Sequence, residues 1–320
     1  MGSRNGRLTV GVLMGGTSSE RDVSLRSGTA VVKALETLGH RAVPVDIRTE
    51  TGLELEGMAL DAAFIALHGR FGEDGRLQKI LQSKGIPYTG SGPEASRAAM
   101  DKVESKRYFK QRGVETPPHR VILHGESPIL WECCARSLGY PVVLKPRAEG
   151  SSVGVSVHED RSTLLDGAIE CFKYDNVALM EKFIQGRELT VGILDGKTLP
   201  IIEMRPKSRF FDYKAKYQDP DTLYIVDPSL SDLDKRRVQK AAKEADDALG
   251  CEGMSRVDVI LTPFCSVHVL EVNTIPGLTE RSLLPKAARA AGIEFPELCR
   301  RIVDSAFRRH QGAFWAAAML

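Results

Sequence analysis

Four polar side chains in the last third of the chain have types and spacing that could do chemistry. Arg256 and Asp258 stand two apart in "SRVDVIL", and Glu271 and Asn273 stand two apart in "VHVLEVN". Side chains two apart on a strand share a face. If the two strands pair, an arginine, two carboxylates and an amide project from one surface. Carboxylate and amide oxygens suit Mg²⁺, a hard cation that usually shares its shell with phosphates. The alternative is two solvated strand faces. Against it stand Val257, Val259, Ile260 and Leu261 on one strand and Val269, Leu270 and Val272 on the other. Carboxylates in such a setting are usually paired or metal-bound.

A second candidate is "KPRAEGSSVGVSV", residues 145–157. Lys145 precedes the Gly/Ser run, the reverse of the order in a P-loop. Backbone N–H groups of "EGSSVG" could cradle a phosphate and Lys145 could add a point charge. A flexible hairpin with a surface lysine is the other reading. "LMEKFIQGRE" offers strand-edge backbone groups for a base and Glu188 for ribose hydroxyls, although acidic residues after a strand are common. The loop "FFDYKAKYQDPDT" has the length of a lid. Lys216 and Tyr217 could close over a site, or be a solvated lysine and a packed aromatic.

The elements that must position these residues read as alternating β and α. "RLTVGVLMG" is a first strand, followed by a helix over about Ser19–Leu38 that Gly39 stops. Ser19 and Asp22 fit a capping box. "RAVPVDI" and "DAAFIALHG" are further strands, with a helix at 74–84 before "IPYTG". This alternation predicts an open parallel sheet over residues 1–95. Ligands collect at the carboxyl ends of such strands, where Glu20 and His68 stand; His68 reads equally as a loop histidine. One helix is expected over 95–112, then a linker "VETPPHRVI", two strands around the Gly/Ser turn, a helix at 232–249, and the final strand pair. The "AFWAAAML" end reads as a weakly ordered tail or a docking segment.

Composition narrows the partners. The 320 residues suffice for two or three domains, and 44 basic against 42 acidic residues leave a net charge of +2. Neither nucleic acid nor an anionic membrane is favoured by that balance. No apolar run of about 18 residues is present to span a bilayer, and the N-terminal run reads as a strand, not a signal peptide. The six cysteines have no C-x-x-C spacing and read as reduced core thiols.

Seven segments in order make a larger pattern: "GGTSSERDVSLRSG", "ALHGRFGEDG", "YTGSGPEASRAAMDK", "KPRAEGSSVGVSV", "DYKAKY", "RVDV" and "LEVNTIPGLTERSLLPKAA". Together, over roughly residues 8–308, they resemble the D-alanine–D-alanine ligases of the ATP-grasp superfamily. The resemblance implies an α/β ATP-grasp fold behind an N-terminal open parallel-sheet domain. It divides the chain into a substrate-binding domain at 1–100, a central ATP-grasp subdomain at 101–185, a C-terminal one at 186–312 and a tail at 313–320. It implies a cytoplasmic homodimer that joins two D-alanines with ATP through an acyl phosphate, for peptidoglycan precursors.

By the same resemblance, Lys102, Lys145 and the loop of Glu149, Gly150, Ser151, Ser152 and Val153 hold phosphates, with Lys216 from the lid. Glu181, Lys182, Phe183, Ile184 and Glu188 receive adenosine. Asp258, Glu271 and Asn273 carry two Mg²⁺ ions, or Mn²⁺. Arg256 and the Gly277 N–H steady the tetrahedral oxygen. Glu20, with His68 beside it, binds the first ammonium; Lys216 and Ser282 hold the second carboxylate. Glu20, Ser151 and Tyr217 are linked by hydrogen bonds. Tyr217 favours the dipeptide over a D-alanyl-D-lactate product; a D-lactate ligase and a non-catalytic ATP-binding protein are the rival readings. Two departures stand out: Ser255 where glycine is more usual, and Glu280-Arg281 where many relatives carry Ser-His.

Overall fold

A computed structural model describes residues 6–205 and 223–318. Strands β1 (Thr9–Gly15), β2 (Arg41–Ile47) and β3 (Ala62–Ile65) form a sheet in the order β2-β1-β3, parallel throughout. The "IPYTG" segment adds only a bridge, Tyr88 to Ala63, parallel to β3. Helix α1 (Arg21–Thr37) lies on this sheet. Gly28 lets it approach closely, because a Cβ there would meet the Met14 side chain at 2.6 Å. Gly39, at φ +82°, ends the helix: its N–H donates to the Glu36 carbonyl, and the His40 N–H to that of Leu35. The capping box does not form. Glu20 occupies the N-cap without a side-chain cap bond, and the Ser18 hydroxyl accepts from the Glu20 N–H instead.

After α2 (Arg76–Ser83), the single helix expected over 95–112 is two, α3 (Pro93–Met100) and α4 (Lys102–Arg112). Asp101 separates them. Its extended backbone ends the first helix, and its Oδ1 caps the second by accepting from the N–H groups of Val103 and Glu104. The expected linker "VETPPHRVI" contains a strand, β4 (His119–Leu123). Its place is set by pairing with a distant strand, which local composition does not announce. Helix α5 (Pro128–Leu138) follows, with Ser127 as its cap.

Two antiparallel sheets come next. β5 (Val142–Pro146), β6 (Ser156–His158) and β7 (Val177–Lys182) join β4 in the order β4-β7-β5-β6, with α6 (Leu164–Cys171) against them. β8 (Arg187–Leu194), β9 (Lys197–Thr198), β10 (Ile202–Arg205) and β11 (Leu223–Val226) meet β12 (Met254–Leu261) and β13 (Val267–Asn273) in the order β11-β10-β8-β12-β13, β9 lying on β8. Helix α7 (Asp232–Leu249) covers this sheet. The chain ends in α8 (Leu283–Ala290) and α9 (Phe295–Ala318), which pack with α1 and the parallel sheet in one core. Among the described residues, no helix is long and apolar enough to cross a membrane. All six cysteines are free thiols.

Ser255, the departure from glycine, has a visible task. It is buried, and its hydroxyl donates to Asp246 Oδ1 at 2.6 Å. Burial pushes the Asp246 carboxyl up to about 6, although Ser255 opposes the shift. Loss of the hydroxyl leaves a buried carboxylate short of a donor, and the ionised form suffers more. Ser255→Ala is therefore expected to cost about 1–3 kcal/mol at pH 8 and clearly less at pH 5, below the Asp246 pKa. Urea unfolding at the two pH values measures the difference.

Candidate active site

The antiparallel pairing of β12 and β13 brings the four polar residues together. Arg256 lies opposite Asn273 and Asp258 opposite Glu271, with a register shift just beyond, between Asp258 and Val259. The Arg256 guanidinium grips the buried Asp258 carboxylate with two bonds, Nε to Oδ1 at 3.0 Å and a terminal nitrogen to Oδ2 at 2.9 Å. Thr190 on β8 donates to the same Oδ1 at 2.6 Å. Asn273 Oδ1 accepts from the Ile275 N–H at 3.0 Å. Glu271 and Asn273 face a cavity of about 980 Å³, with Arg256 in its wall. The donors are all hard oxygens and Glu271 opens to the cavity, so the set fits a divalent cation once Asp258 is shared with Arg256. Among the described residues there is no group of three or more His, Cys, Asp or Glu side chains that could hold a metal; here the third oxygen comes from an amide.

The Gly/Ser loop bends over the same cavity. Ser151 and Ser152 hold φ of +53° and +58°. Left-handed backbone costs a non-glycine residue about 1–2 kcal/mol each. That strain is compensated by long-range bonds. The Ser151 hydroxyl donates to the Glu20 carboxylate, and the Lys102 ammonium donates to the Glu149 carbonyl at 2.6 Å while standing 3.8 Å from Glu271. Gly150 leaves room, since a Cβ there would lie 3.0 Å from Glu20 Oε2.

Behind the loop, Lys145 on β5 reaches Glu181 Oε2 on β7 at 2.6 Å. Lys106 on α4 reaches Oε1 of the same carboxylate, also at 2.6 Å. Burial alone would raise the Glu181 carboxyl, but the two lysines hold it down at about 2. Farther along this segment, the Lys182 N–H donates to the Pro118 carbonyl and the Phe183 N–H to that of Pro141. Both amides are thus engaged within the protein. Glu188 lies on β8, between Met204 and Ile260 of its neighbouring strands.

At the N-terminal wall, His68 is buried and neutral. Its Nδ1 faces the Ile275 carbonyl at 3.0 Å, which can only accept, so Nδ1 carries the proton and Nε2 accepts from the Ser27 hydroxyl at 3.1 Å. Burial holds its pKa below the ordinary value, with Arg256 adding to the effect. Glu73 is the neighbour that sequence reasoning missed. Its Oε2 accepts from the Gly69 N–H at 2.6 Å, and Glu20 stands close enough that a Gly69 Cβ would lie 2.9 Å from it. Burial, reinforced by Glu20, pushes the Glu73 carboxyl up to about 8.

Across the cavity, the Ser282 hydroxyl accepts from the Thr279 N–H at 3.1 Å and meets the Thr279 hydroxyl at 2.8 Å. Gly277 permits this packing, because a Cβ there would come 2.8 Å from Ser282 Oγ. One cavity therefore collects Glu20, His68, Lys102, the 149–151 loop, Arg256, Glu271, Asn273, Gly277 and Ser282. Lys145, Glu181 and Glu188 sit on the adjoining sheets. Lys216 and Tyr217 lie outside the described residues. Lys106 had one available signal, its place one helical turn after Lys102; Glu73 had only its position between two glycines.

A parallel-sheet domain joined to two antiparallel sheets, with a glycine/serine loop over the cleft, defines an α/β protein of ATP-grasp fold. Two family models match the chain: the D-ala D-ala ligase N-terminus over residues 48–91 and the D-ala D-ala ligase C-terminus over 109–304. The D-alanine–D-alanine ligase of Syntrophotalea carbinolica is 45% identical over 94% of this chain and 96% of its own. That of Geobacter sulfurreducens is 46% identical over 95% of each. The solved Bacillus anthracis ligase complexed with ATP superposes with a TM-score of 0.85 at 36% identity, over 96% of this chain and 99% of that one. The chain belongs to the D-alanine–D-alanine ligase family.

The Glu73 geometry makes a pH prediction. A carboxyl raised in the folded state favours folding fully below the ordinary carboxylate range and loses that contribution as pH rises to about 8. Glu73→Gln keeps an acceptor for Gly69 and removes the ionisation. Its melting temperature should fall less between pH 5 and pH 8 than that of the wild type, as calorimetry across that range would record.

Proposed function

We propose that this chain uses ATP to join two D-alanine molecules, first forming an acyl phosphate on one carboxylate and then admitting the amine of the other. The observation that carries the reading is the bond from Ser151 to Glu20, which ties the glycine/serine loop to the N-terminal wall across 131 residues of sequence. A loop so tied covers phosphates and first substrate together. Lys102, Lys145 and residues 149–153 hold the phosphates. Adenosine lies along residues 181–184 and Glu188. Because the Lys182 and Phe183 amides are engaged, the base is read through carbonyls and the Ile184 end.

Glu20 receives the first ammonium, and neutral His68 adds no competing positive charge beside it. Arg256 and the Gly277 N–H face the oxygen that becomes negative when the second amine attacks, an oxyanion-hole role. Ser282 holds the second carboxylate; the family resemblance assigns Lys216 to the same carboxylate and Tyr217 to the Glu20–Ser151 link, and both lie outside the described residues. Asp258, Glu271 and Asn273 would hold Mg²⁺, as two ions, or Mn²⁺, which neutralises charge on the phosphoryl group. The enzyme acts as a cytoplasmic homodimer serving peptidoglycan precursor synthesis.

ADP release should require D-alanine and yield D-alanyl-D-alanine. Product formation only with D-lactate as second substrate would transfer the reading to the depsipeptide ligases, and ATP binding without turnover on any D-acceptor would end it. Glu271→Gln should lower kcat by about a hundredfold or more with little change in melting temperature. Near-parental turnover at saturating Mg²⁺ would remove Glu271 from the metal site.

A further inference from the structure

Lys106 is 2% exposed, on the buried face of α4 with Ser105 and Phe109. Its ammonium donates to Thr116 Oγ1 at 2.5 Å and to the Pro117 carbonyl at 3.2 Å, and stands 2.6 Å from Glu181 Oε1 as an ion pair. The Thr116 hydroxyl donates in turn to the Val269 carbonyl on β13 at 2.8 Å, two residues before Glu271. Lys106 is thus fixed in the seam between the two antiparallel sheets. Lys145 approaches the other oxygen of Glu181 at 2.6 Å, and its side chain is 13% exposed against 1% for Lys106. Two cations share one buried carboxylate.

This asymmetry has a consequence for nucleotide binding. With Lys145 as sole partner, Glu181 would hold it: turning Lys145 away would strand an ionised carboxylate out of water, the situation that makes breaking a buried pair so costly. We infer that Lys106 is a positioning residue for the nucleotide triphosphate: by holding Glu181 permanently, it lets Lys145 turn from that carboxylate to the phosphate oxygens. The inference rests on the ATP-dependent reading above and deepens it. The charges agree with it. Burial works to lower the Lys145 pKa, yet Glu181, with Glu271 and Glu188 beyond it, keeps it above the ordinary value. Lys145 is therefore held as a cation while it faces Glu181.

The test compares ATP with adenosine, which lacks phosphates, by titration calorimetry on the full chain. Lys106→Met should raise the Kd for ATP about 30-fold and that for adenosine, which meets Glu181 but not Lys145, by a clearly smaller factor. In Lys106→Met/Glu181→Gln no ionised carboxylate traps Lys145, so its ATP affinity should match that of Glu181→Gln alone. That second comparison also serves if Lys106→Met fails to fold, because the double variant strands no carboxylate and leaves only Lys145, which Glu271 and Glu188 still favour as a cation. Equal losses for ATP and adenosine would overturn the inference and leave Lys106 a structural residue. So would a further ATP loss on adding Lys106→Met to Glu181→Gln. The readout is nucleotide affinity, so a wild type that bound ATP yet formed no dipeptide would count against the ligase reading, and these outcomes would still decide the role of Lys106.

Discussion

Charges taken out of water must find partners, and in this fold several of those partners come from distant segments. Glu181 draws a lysine from α4 and another from β5. Asp258 draws an arginine from its own strand and a threonine from β8. Glu20 is bound by a serine 131 residues away. A buried charge that loses its partner costs several kcal/mol, so each pairing fixes the relative position of the elements that supply it. The cleft is where these pairings converge. Its geometry follows from electrostatic necessity at the seams as much as from the apolar cores on either side.

That origin explains which parts were legible in the sequence. Local patterns carry the parallel sheet, α1 with its Gly39 stop, and the pairing of β12 with β13, because periodicity and glycine placement are short-range signals. The shared faces of Arg256 with Asp258 and of Glu271 with Asn273 followed from period two, and their meeting required the two strands to pair. The break at Asp101 was less visible. Its residue type favours an N-cap, but "AAMDKVESK" keeps helical spacing through it, and the decisive contact with Arg147 comes from 46 residues on. β4 was hidden for a similar reason: its strand state exists through β7. Lys106 and Glu73 were invisible as site residues because a lysine on a polar helix and a glutamate between glycines look solvated until the fold buries them. The outer lines of the site, such as Ser151 reaching Glu20, came from family resemblance and could not have come from spacing.

The glycine/serine loop shows how strain and pairing work against each other. Two consecutive serines in left-handed backbone would relax if the loop were free. Ser151 to Glu20 and Lys102 to the Glu149 carbonyl hold it from two sides. One tether ends on a residue assigned to the first substrate, the other on a lysine that also faces Glu271. Under the proposed reading, a ligand at either subsite would meet a residue that already holds the loop.

The two departures from the family pattern differ in kind when viewed through partners. Ser255 is buried, and its hydroxyl is absorbed by Asp246, so the change is matched within the core although Arg256 follows it on β12. Glu280 and Arg281 are exposed at the rim of the cavity, next to Ser282. Ser282 is held by Thr279, not by either of them. The acceptor hydroxyl thus keeps its position independently of the altered pair. What the pair changes is the field at the entrance, where a carboxylate and a guanidinium replace smaller polar groups. Screening makes such exposed charges weak in binding energy, so under the proposed reading of Ser282 their influence would fall on approach to the cleft more than on placement at that hydroxyl.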